Sequence, residues 1–123
     1  MRIQHIVNLS HHNTFGFPVI AEECITIESE TDAQELHKTG FFEHPHRILG
    51  GGSNVLFTTK AIPKVLINKI EGIKILEESD ESIHIQFGAG MTWHSVVEHA
   101  VNKGWGGIEN LSLIPGSIGA API

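Results

Sequence analysis

Three consecutive glycines followed by two short polar side chains form the stretch of this sequence best suited to chemistry. They are Gly50-Gly51-Gly52-Ser53-Asn54, with apolar residues on either side. Glycine brings backbone N–H groups close to a ligand and reaches φ > 0 without a Cβ penalty, while serine and asparagine add hydrogen-bonding groups. At a strand end, such a loop forms a concavity for an anion such as phosphate. The alternative is a tight turn between two strands, because the loop matches neither G-x-x-x-x-G-K-[S/T] nor G-x-G-x-x-G.

A second stretch of small residues lies between Pro115 and Pro122, beside the apolar Ile114 and Ile118. Proline stiffens this backbone and glycine opens it to close approach. This stretch suits the wall of a pocket for an extended ligand with an anionic group in its middle and flat apolar ends. The alternative interpretation is a buried crossover loop. Two such loops in one small chain favour a cofactor that carries a diphosphate.

Runs of β-branched and apolar residues bounded by turn residues predict six short strands around these loops. The predicted strands are Ile20–Ile27, Arg47–Leu49, Val55–Phe57, Lys64–Asn68, Ile73–Glu77 and Ser82–Phe87. The last two alternate apolar and polar residues around an acidic turn, which predicts an antiparallel hairpin with one face on the core. No strand is predicted before Ile20, where His11–Gly16 is polar, turn-rich and predicted to be irregular.

Two short helices are predicted from capping residues and apolar spacing. The first covers Thr31–Lys38, with Ser29 or its own first residue as N-cap and Gly40 as its end. The second follows Thr92 as N-cap and ends at Gly104, with apolar residues at i, i+3, i+4, i+7 and i+8. The predicted class is therefore α+β or α/β, with short helices packed on a small mixed sheet.

The composition narrows the classes of protein to which these loops can belong. The chain has 123 residues, of which 41% are hydrophobic and 18% charged, so one compact domain is predicted. A net charge of −6 argues against a nucleic-acid partner. The single cysteine, Cys24, excludes an internal disulfide, and no run approaches the roughly 20 apolar residues of a membrane span. Without a signal-peptide pattern at the N-terminus, a cytoplasmic location is predicted.

Three motifs in order resemble the amino-terminal part of the UDP-N-acetylenolpyruvoylglucosamine reductase family. They are Ile48–Leu56, Gly88–His94 and Gly107–Pro122, and Asn13–Gly16 is similar to the motif that opens that family. The resemblance covers nearly the whole chain. It implies the vanillyl-alcohol-oxidase-like flavoprotein fold, in which the FAD-binding domain combines two small α+β subdomains. It also implies noncovalent FAD, NADPH as reductant, and reduction of the enolpyruvyl ether of a UDP-sugar to UDP-N-acetylmuramate, a cytoplasmic step of peptidoglycan synthesis.

Carried over residue by residue, the resemblance implies that the glycine loop holds the FAD diphosphate and that the proline-bounded stretch lines the other side of the cofactor. The residues predicted to bind the cofactor are Leu49, Gly50, Gly51, Gly52, Ser53, Asn54, Val55, Leu56, Ile114, Pro115, Gly116, Ser117, Ile118, Gly119, Ala120 and Ala121. No catalytic residue is predicted, because the family's serine proton donor and its Arg and Glu helpers lie in a downstream substrate domain.

The sequence stops inside a family motif, so residues 1–123 are predicted to be the N-terminal part of a truncated FAD-binding domain. This fragment is expected to be inactive, with the UDP-sugar as a partner of the full-length enzyme only. Apolar surface exposed near Ile114, Ile118 and Ile123 predicts self-association. The other class of function is a stand-alone α/β module that binds a nucleotide or a protein and does no chemistry.

The nine histidines raise the questions of a metal site and of a covalently bound flavin. They show neither helical i, i+4 pairing nor companion ligands, so no metal site is predicted. His46 lies near the glycine loop, but Gly50–Asn54 contains no histidine or cysteine, so the flavin is predicted to be held noncovalently. Trp93 is predicted to lie in the core, and Trp105 to be either a packing anchor or a cover for a cofactor.

Overall fold

A computed structural model describes residues 1–121 of the chain. The strands are β1 (Arg2–Asn8), β2 (Ile20–Ile27), β3 (Arg47–Leu49), β4 (Ala61–Asn68), β5 (Ile73–Glu78) and β6 (Ile83–Phe87). The helices are α1 (Glu30–Lys38) and α2 (Trp93–Asn102), with short 3-10 turns at Ser10–His12, Phe41–Glu43, Glu109–Leu111 and Ile118–Ala120. The short helices and mixed sheet confirm the predicted α+β class. No helix within residues 1–121 is long and apolar enough to cross a membrane.

The main sheet has the strand order β1-β2-β4-β3. Strands β2, β4 and β3 are parallel, and β1 pairs antiparallel with β2. Parallel strands bring their carboxyl ends to one edge of a sheet, where open α/β sheets commonly bind ligands. The glycine loop follows β3 directly, so the topology places it at this edge.

Apolar residues cover both faces of the main sheet. On one face, the buried residues are Leu9, Val19, Ala21, Cys24, Leu49, Val65 and Ile67. On the other, where α1 packs, they are Ile25, Ile27, Leu36, Phe41 and Leu66. Because successive side chains of a strand point to opposite faces, the nearly continuous apolar runs of β2 and β4 supply both layers.

The helix boundaries follow the predicted capping residues. The Ser29 Oγ accepts a hydrogen bond from the Asp32 N–H at 3.1 Å, so Ser29 is the N-cap of α1. The Thr92 Oγ1 accepts from the Ser95 N–H at 3.3 Å at the start of α2. Gly40 and Gly104 follow the two helices at φ +73° and +74°, a conformation that glycine adopts without a Cβ penalty.

Two strand predictions were wrong in opposite directions. Residues 2–8 form the edge strand β1 although no strand was predicted there, because an exposed edge strand lacks a buried apolar pattern. Val55–Phe57 belongs to no strand, and instead Val55 and Phe57 pack against the core of the main sheet. Strand β4 also begins earlier than predicted, at Ala61, and includes Pro63. The proline is tolerated because β3 pairs with β4 only from Val65 onward.

The predicted hairpin forms a separate two-stranded sheet of β5 and β6, and the antiparallel pairing is confirmed. The expectation that one face packs on the core was wrong for β5, whose residues are all exposed. A two-stranded sheet offers little apolar area for packing against the rest of the chain. Helix α2 contacts this sheet through β6, where the Phe87 ring lies 6.4 Å from that of His99. His84 lies on the exposed face of β6, and its Nδ1 is 3.5 Å from a Glu77 carboxylate oxygen.

Candidate cofactor-binding site

The glycine loop packs directly against the second stretch of small residues. A Cβ built on Gly50 would lie 2.5 Å from the Ser117 Oγ, and one built on Gly51 would lie 3.3 Å from the Gly116 Cα. A Cβ on Gly116 would lie 3.6 Å from the Ser53 Oγ. The structure therefore brings the two predicted loops into contact, and small residues are what permit this approach.

Gly52 lies in contact with the chain that precedes β2 and so fixes the position of the glycine loop, a contact that we call the seat of the loop. It has φ +69°, and an added Cβ would collide with the carbonyl oxygen of His12. The Gly52 carbonyl accepts hydrogen bonds from the Thr14 N–H at 3.1 Å and from the Thr14 Oγ1 at 3.4 Å. This glycine is therefore required by the fold of the loop, independently of any ligand.

Asn13 organises the turn beneath the loop. Its side chain is 7% exposed, and Nδ2 donates to the carbonyl oxygens of Leu9 at 2.8 Å and Phe17 at 3.1 Å. Its Oδ1 accepts from the Phe17 N–H at 3.0 Å. Sequence reasoning noted Asn13–Gly16 only as a family motif and missed this role. An asparagine within an otherwise irregular polar segment was the available signal, since such side chains often replace backbone partners in turns.

Donor groups of the loop remain available to a ligand. Within residues 1–121, the backbone N–H groups of Gly51, Gly52, Ser53 and Asn54 donate no hydrogen bond to the chain, nor do the side chains of Ser53 and Asn54 form one. Successive free N–H groups around a residue of positive φ are the elements of an anion-binding concavity. The loop therefore fits a phosphate-bearing cofactor.

The second loop is held by the turn that precedes α2. Ser117 forms an isolated antiparallel bridge with Thr92, and the Ile118 N–H donates to the Met91 carbonyl at 2.9 Å. The Gly119 N–H donates to the Ala89 carbonyl at 3.0 Å. The motif Gly88–His94 thus serves as the support of the second loop.

The same turn is pressed onto the chain that leaves β4. A Cβ on Gly88 would clash with the backbone of Ile70 and Glu71, and one on Gly90 would lie 2.5 Å from the backbone of Lys69. These contacts tie the second loop to the main sheet, so both sides of the site share one framework.

Apolar side chains lie at both ends of the two facing loops, Gly50–Asn54 and Pro115–Ala121, which together we call the cradle. Leu56 is 64% exposed beyond the glycine loop, and Leu113 and Ile114 are 76% and 47% exposed before Pro115. Ile118 is half-buried, and Ala120 and Ala121 are exposed. Leu49 instead lies in the core, so its side chain anchors the loop from beneath. Pro122 and Ile123 are outside the described residues, so the predicted contribution of Ile123 to an exposed patch stays a prediction.

The contacts of the remaining candidate residues, Cys24 and the histidines, indicate structural roles. Burial raises the pKa of the Cys24 thiol, which keeps it protonated and unreactive. His46 lies half-buried against the rings of Phe41 and Phe42, at centroid distances of 5.1 and 5.4 Å. Its Nδ1 is 2.8 Å from the His44 carbonyl oxygen. In the part of the chain that the structure describes, no three His, Cys, Asp or Glu side chains converge as metal ligands.

The two tryptophans both act in packing. Trp93 is half-buried at the start of α2 and belongs to neither buried core cluster, so the prediction that it lies in the core was wrong. Its Nε1–H donates to the Leu111 carbonyl at 2.7 Å. Trp105 is half-buried, and its ring lies 5.6 Å from that of His99. The backbone N–H of Trp105 donates to the Ala100 carbonyl at 2.9 Å, at the end of α2. Of the two predictions for Trp105, these contacts favour the packing anchor.

An open cavity of about 550 Å³ lies elsewhere, beside the carboxyl ends of β2 and β4. Its lining includes Arg2, Thr26, His12 and Lys69, and none of the residues predicted to bind the cofactor. His12 joins the two regions, because its carbonyl faces Gly52. Burial, with Lys69 and His11 adding smaller effects, lowers the pKa of His12, which favours a neutral imidazole there. The residues that line this cavity are thus different from those of the two loops.

An α+β domain with two facing small-residue loops and free backbone donors is the architecture of a nucleotide-cofactor-binding domain. The sequence profile described as "FAD binding domain" matches residues 22–123. The chain belongs to the FAD binding domain family.

The named relatives confirm the resemblance recognised from the motifs. The UDP-N-acetylenolpyruvoylglucosamine reductase of Burkholderia lata is 40% identical over 116 residues, covering 94% of this chain and 33% of the relative. That of Photorhabdus laumondii is 44% identical over 119 residues, covering 96% and 35%. The crystal structure of the Thermus caldophilus enzyme superposes with a TM-score of 0.72 at 27% identity, covering 98% of this chain and 41% of that one. The chain spans about a third of the length of the curated relatives it matches.

Proposed function

We propose that this chain is the FAD-binding portion of an NADPH-dependent reductase that converts UDP-N-acetylglucosamine enolpyruvate to UDP-N-acetylmuramate. The observation that carries the proposal is the packing of Gly50 and Gly51 against Gly116 and Ser117 in a chain of the FAD binding domain family. The named relatives support the particular reaction, because all those cited are UDP-N-acetylenolpyruvoylglucosamine reductases. A cytoplasmic location belongs to the same proposal.

In the cradle, hydrogen-bond donors would hold one part of the cofactor and apolar side chains would hold another. The free N–H groups of Gly51–Asn54 and the side chains of Ser53 and Asn54 would bind the diphosphate, since they are donors without acceptors in the described chain. The exposed Ile114 would contact a flat apolar ring, assisted by the stiff backbone at Pro115. The bound flavin supplies hydride-transfer chemistry, and this chain supplies its binding and orientation.

Titration of the purified chain with FAD, followed by flavin fluorescence, tests the binding step. A valine at Gly51 must push against the Gly116 backbone, so Gly51→Val is expected to abolish FAD binding while the circular dichroism of the helices stays nearly unchanged. Gly106→Val is the matched control, because a Cβ there meets nothing within 4 Å and φ is not positive. Equal FAD affinity of the two variants would contradict the assignment of the loop.

An NADPH oxidation assay tests how much of the reaction this chain carries. Substrate reduction needs a proton donor positioned beside the reacting carbon, and the resemblance places that donor in a downstream domain. We therefore expect weak FAD binding and no turnover when the chain is mixed with FAD, NADPH and the enolpyruvyl UDP-sugar. Substrate-dependent NADPH oxidation would show that the chain holds a complete active site. A folded chain that binds no FAD would favour the stand-alone binding module instead.

A further inference from the structure

Two side chains in the first turn of α2 grip the backbone that leads into the second loop. The Trp93 Nε1–H donates to the Leu111 carbonyl at 2.7 Å. The His94 Nδ1 lies 3.0 Å from the Ser112 Oγ and 3.4 Å from the Leu113 nitrogen. Residues 111–113, the start of this segment, are therefore held to α2 by two side chains that were not among the residues predicted to bind the cofactor.

The far end of the segment is fastened to the same turn. The Trp93 backbone N–H donates to the Gly116 carbonyl at 3.0 Å, and Gly116 is the residue that faces Gly51. Between the two attachments, Leu113, Ile114 and Pro115 form an exposed tip. This tip is the part of the second loop with apolar side chains directed away from the core.

The tip has a conformation that its own sequence disfavours. Leu113 has φ +62°, in the left-handed region where an L-residue with a bulky side chain is strained. Such a conformation persists only where neighbouring groups hold it. The hydrogen bond from the Leu113 N–H to the His94 Nδ1 acts on the strained residue itself.

The contacts of His94 define its tautomer. A backbone N–H can only donate, so the Nδ1 that receives the Leu113 N–H carries no proton, and the neutral imidazole is protonated on Nε2. The His94 Nε2 lies 3.6 Å from the Glu98 Oε1. This tautomer makes Nδ1 the acceptor that holds the Leu113 N–H.

Two other features near His94 have simpler explanations. The Glu109 carboxylate, on the turn packed against α2, accepts from its own N–H and from the Gly107 N–H, and these bonds lower the pKa of Glu109. The grouping of Ser112, His94 and Glu98 has the composition of a nucleophilic triad. Because the Nδ1 lone pair also receives the Leu113 N–H, the contacts favour holding the backbone over activating the hydroxyl.

We propose that His94 is a positioning residue for the cofactor: it holds Leu113 in the left-handed conformation and so sets Ile114 and Pro115 against the flat apolar end of the flavin. This inference rests on the proposed binding of FAD. His94 would touch the backbone of the loop and leave the contact with the cofactor to the tip.

Nuclear magnetic resonance of the ¹⁵N-labelled chain measures both the clamp and weak FAD binding. In H94F, which removes the acceptor and keeps a ring, we expect the Leu113 amide to exchange at least about tenfold faster and the Kd for FAD to rise roughly three- to tenfold. H94N keeps an acceptor in place of Nδ1, so it is expected to restore both values. E98Q retains the Nδ1 acceptor and should match the wild-type chain at pH 8.

Rescue by H94N separates positioning from a purely structural effect, because asparagine supplies the acceptor without the ring. The inference is overturned if H94F binds FAD as the wild type does, if H94N fails to rescue, or if Leu113 exchange is unchanged in H94F. Absence of FAD binding by the wild-type chain at millimolar FAD would overturn the proposed function itself, and the positioning role with it.

Discussion

Replacement of Gly52 by alanine tests the seat of the glycine loop. At φ +69°, an L-residue is disfavoured by about 1–2 kcal/mol. The new Cβ also collides with the His12 carbonyl oxygen, and overpacking of this kind costs about 1–3 kcal/mol. Alanine reduces the entropy of the unfolded chain, which offsets about 0.4–1 kcal/mol. We therefore expect Gly52→Ala to lower the free energy of unfolding by about 1–5 kcal/mol, a large part of the stability of a small domain.

Gly16→Ala provides the matched control. Gly16 has φ +68°, but a Cβ there meets nothing within 4 Å, so the backbone conformation is the same and the collision is absent. Its expected loss is about 0–1.6 kcal/mol, from the same conformational and entropic effects. Urea unfolding of both variants, followed by circular dichroism, measures the difference, which should be about 1–3 kcal/mol. Equal losses would refute the contact between Gly52 and His12 and with it the described seat.

Four further predictions concern the cofactor, pH and association. Ser53→Ala should weaken FAD binding by about 0.5–1.5 kcal/mol, or up to about 3 if its acceptor is charged, and a titration showing no change would remove Ser53 from the site. Acid precipitation of the flavin-loaded protein should leave the yellow colour in the supernatant, whereas colour in the pellet would reopen attachment at His46. The pKa of His12 is lowered by burial and neighbouring cations, so the unfolded chain takes up its proton first. Stability should therefore decline as pH falls below about 6.5, and a denaturant series with His12→Gln should lose that part of the decline. We also propose that exposed Leu113 and Ile114 promote self-association of the chain, so sedimentation should show concentration-dependent dimers that Ile114→Ser reduces, and equal dimerisation of that variant would contradict the patch.

The sequence itself determined features that depend on close neighbours in the chain. Ser29 and Thr92 were recognisable as caps because an N-cap side chain bonds to a backbone N–H only a few residues away. Gly40 and Gly104 were recognisable as helix ends for the same local reason. The glycine loop was also visible, since consecutive glycines have few purposes besides close approach or unusual φ values. The family resemblance then identified the cofactor, which the pattern alone had narrowed only to a diphosphate carrier.

The tertiary structure decided which distant segments meet. Apolar periodicity reports burial and carries no information on the hydrogen-bonding partner, so Val55–Phe57 looked like a strand although it packs without pairing. The exposed strand β1 forms because β2 supplies its backbone hydrogen-bonding partners, and this cause cannot be seen in the residues of β1. The approach of Gly51 to Gly116 and the hold of His94 on Leu113 likewise join residues far apart in the chain. Their geometry is set by the packing of whole elements, because loops with little regular structure take their positions from the elements that carry them.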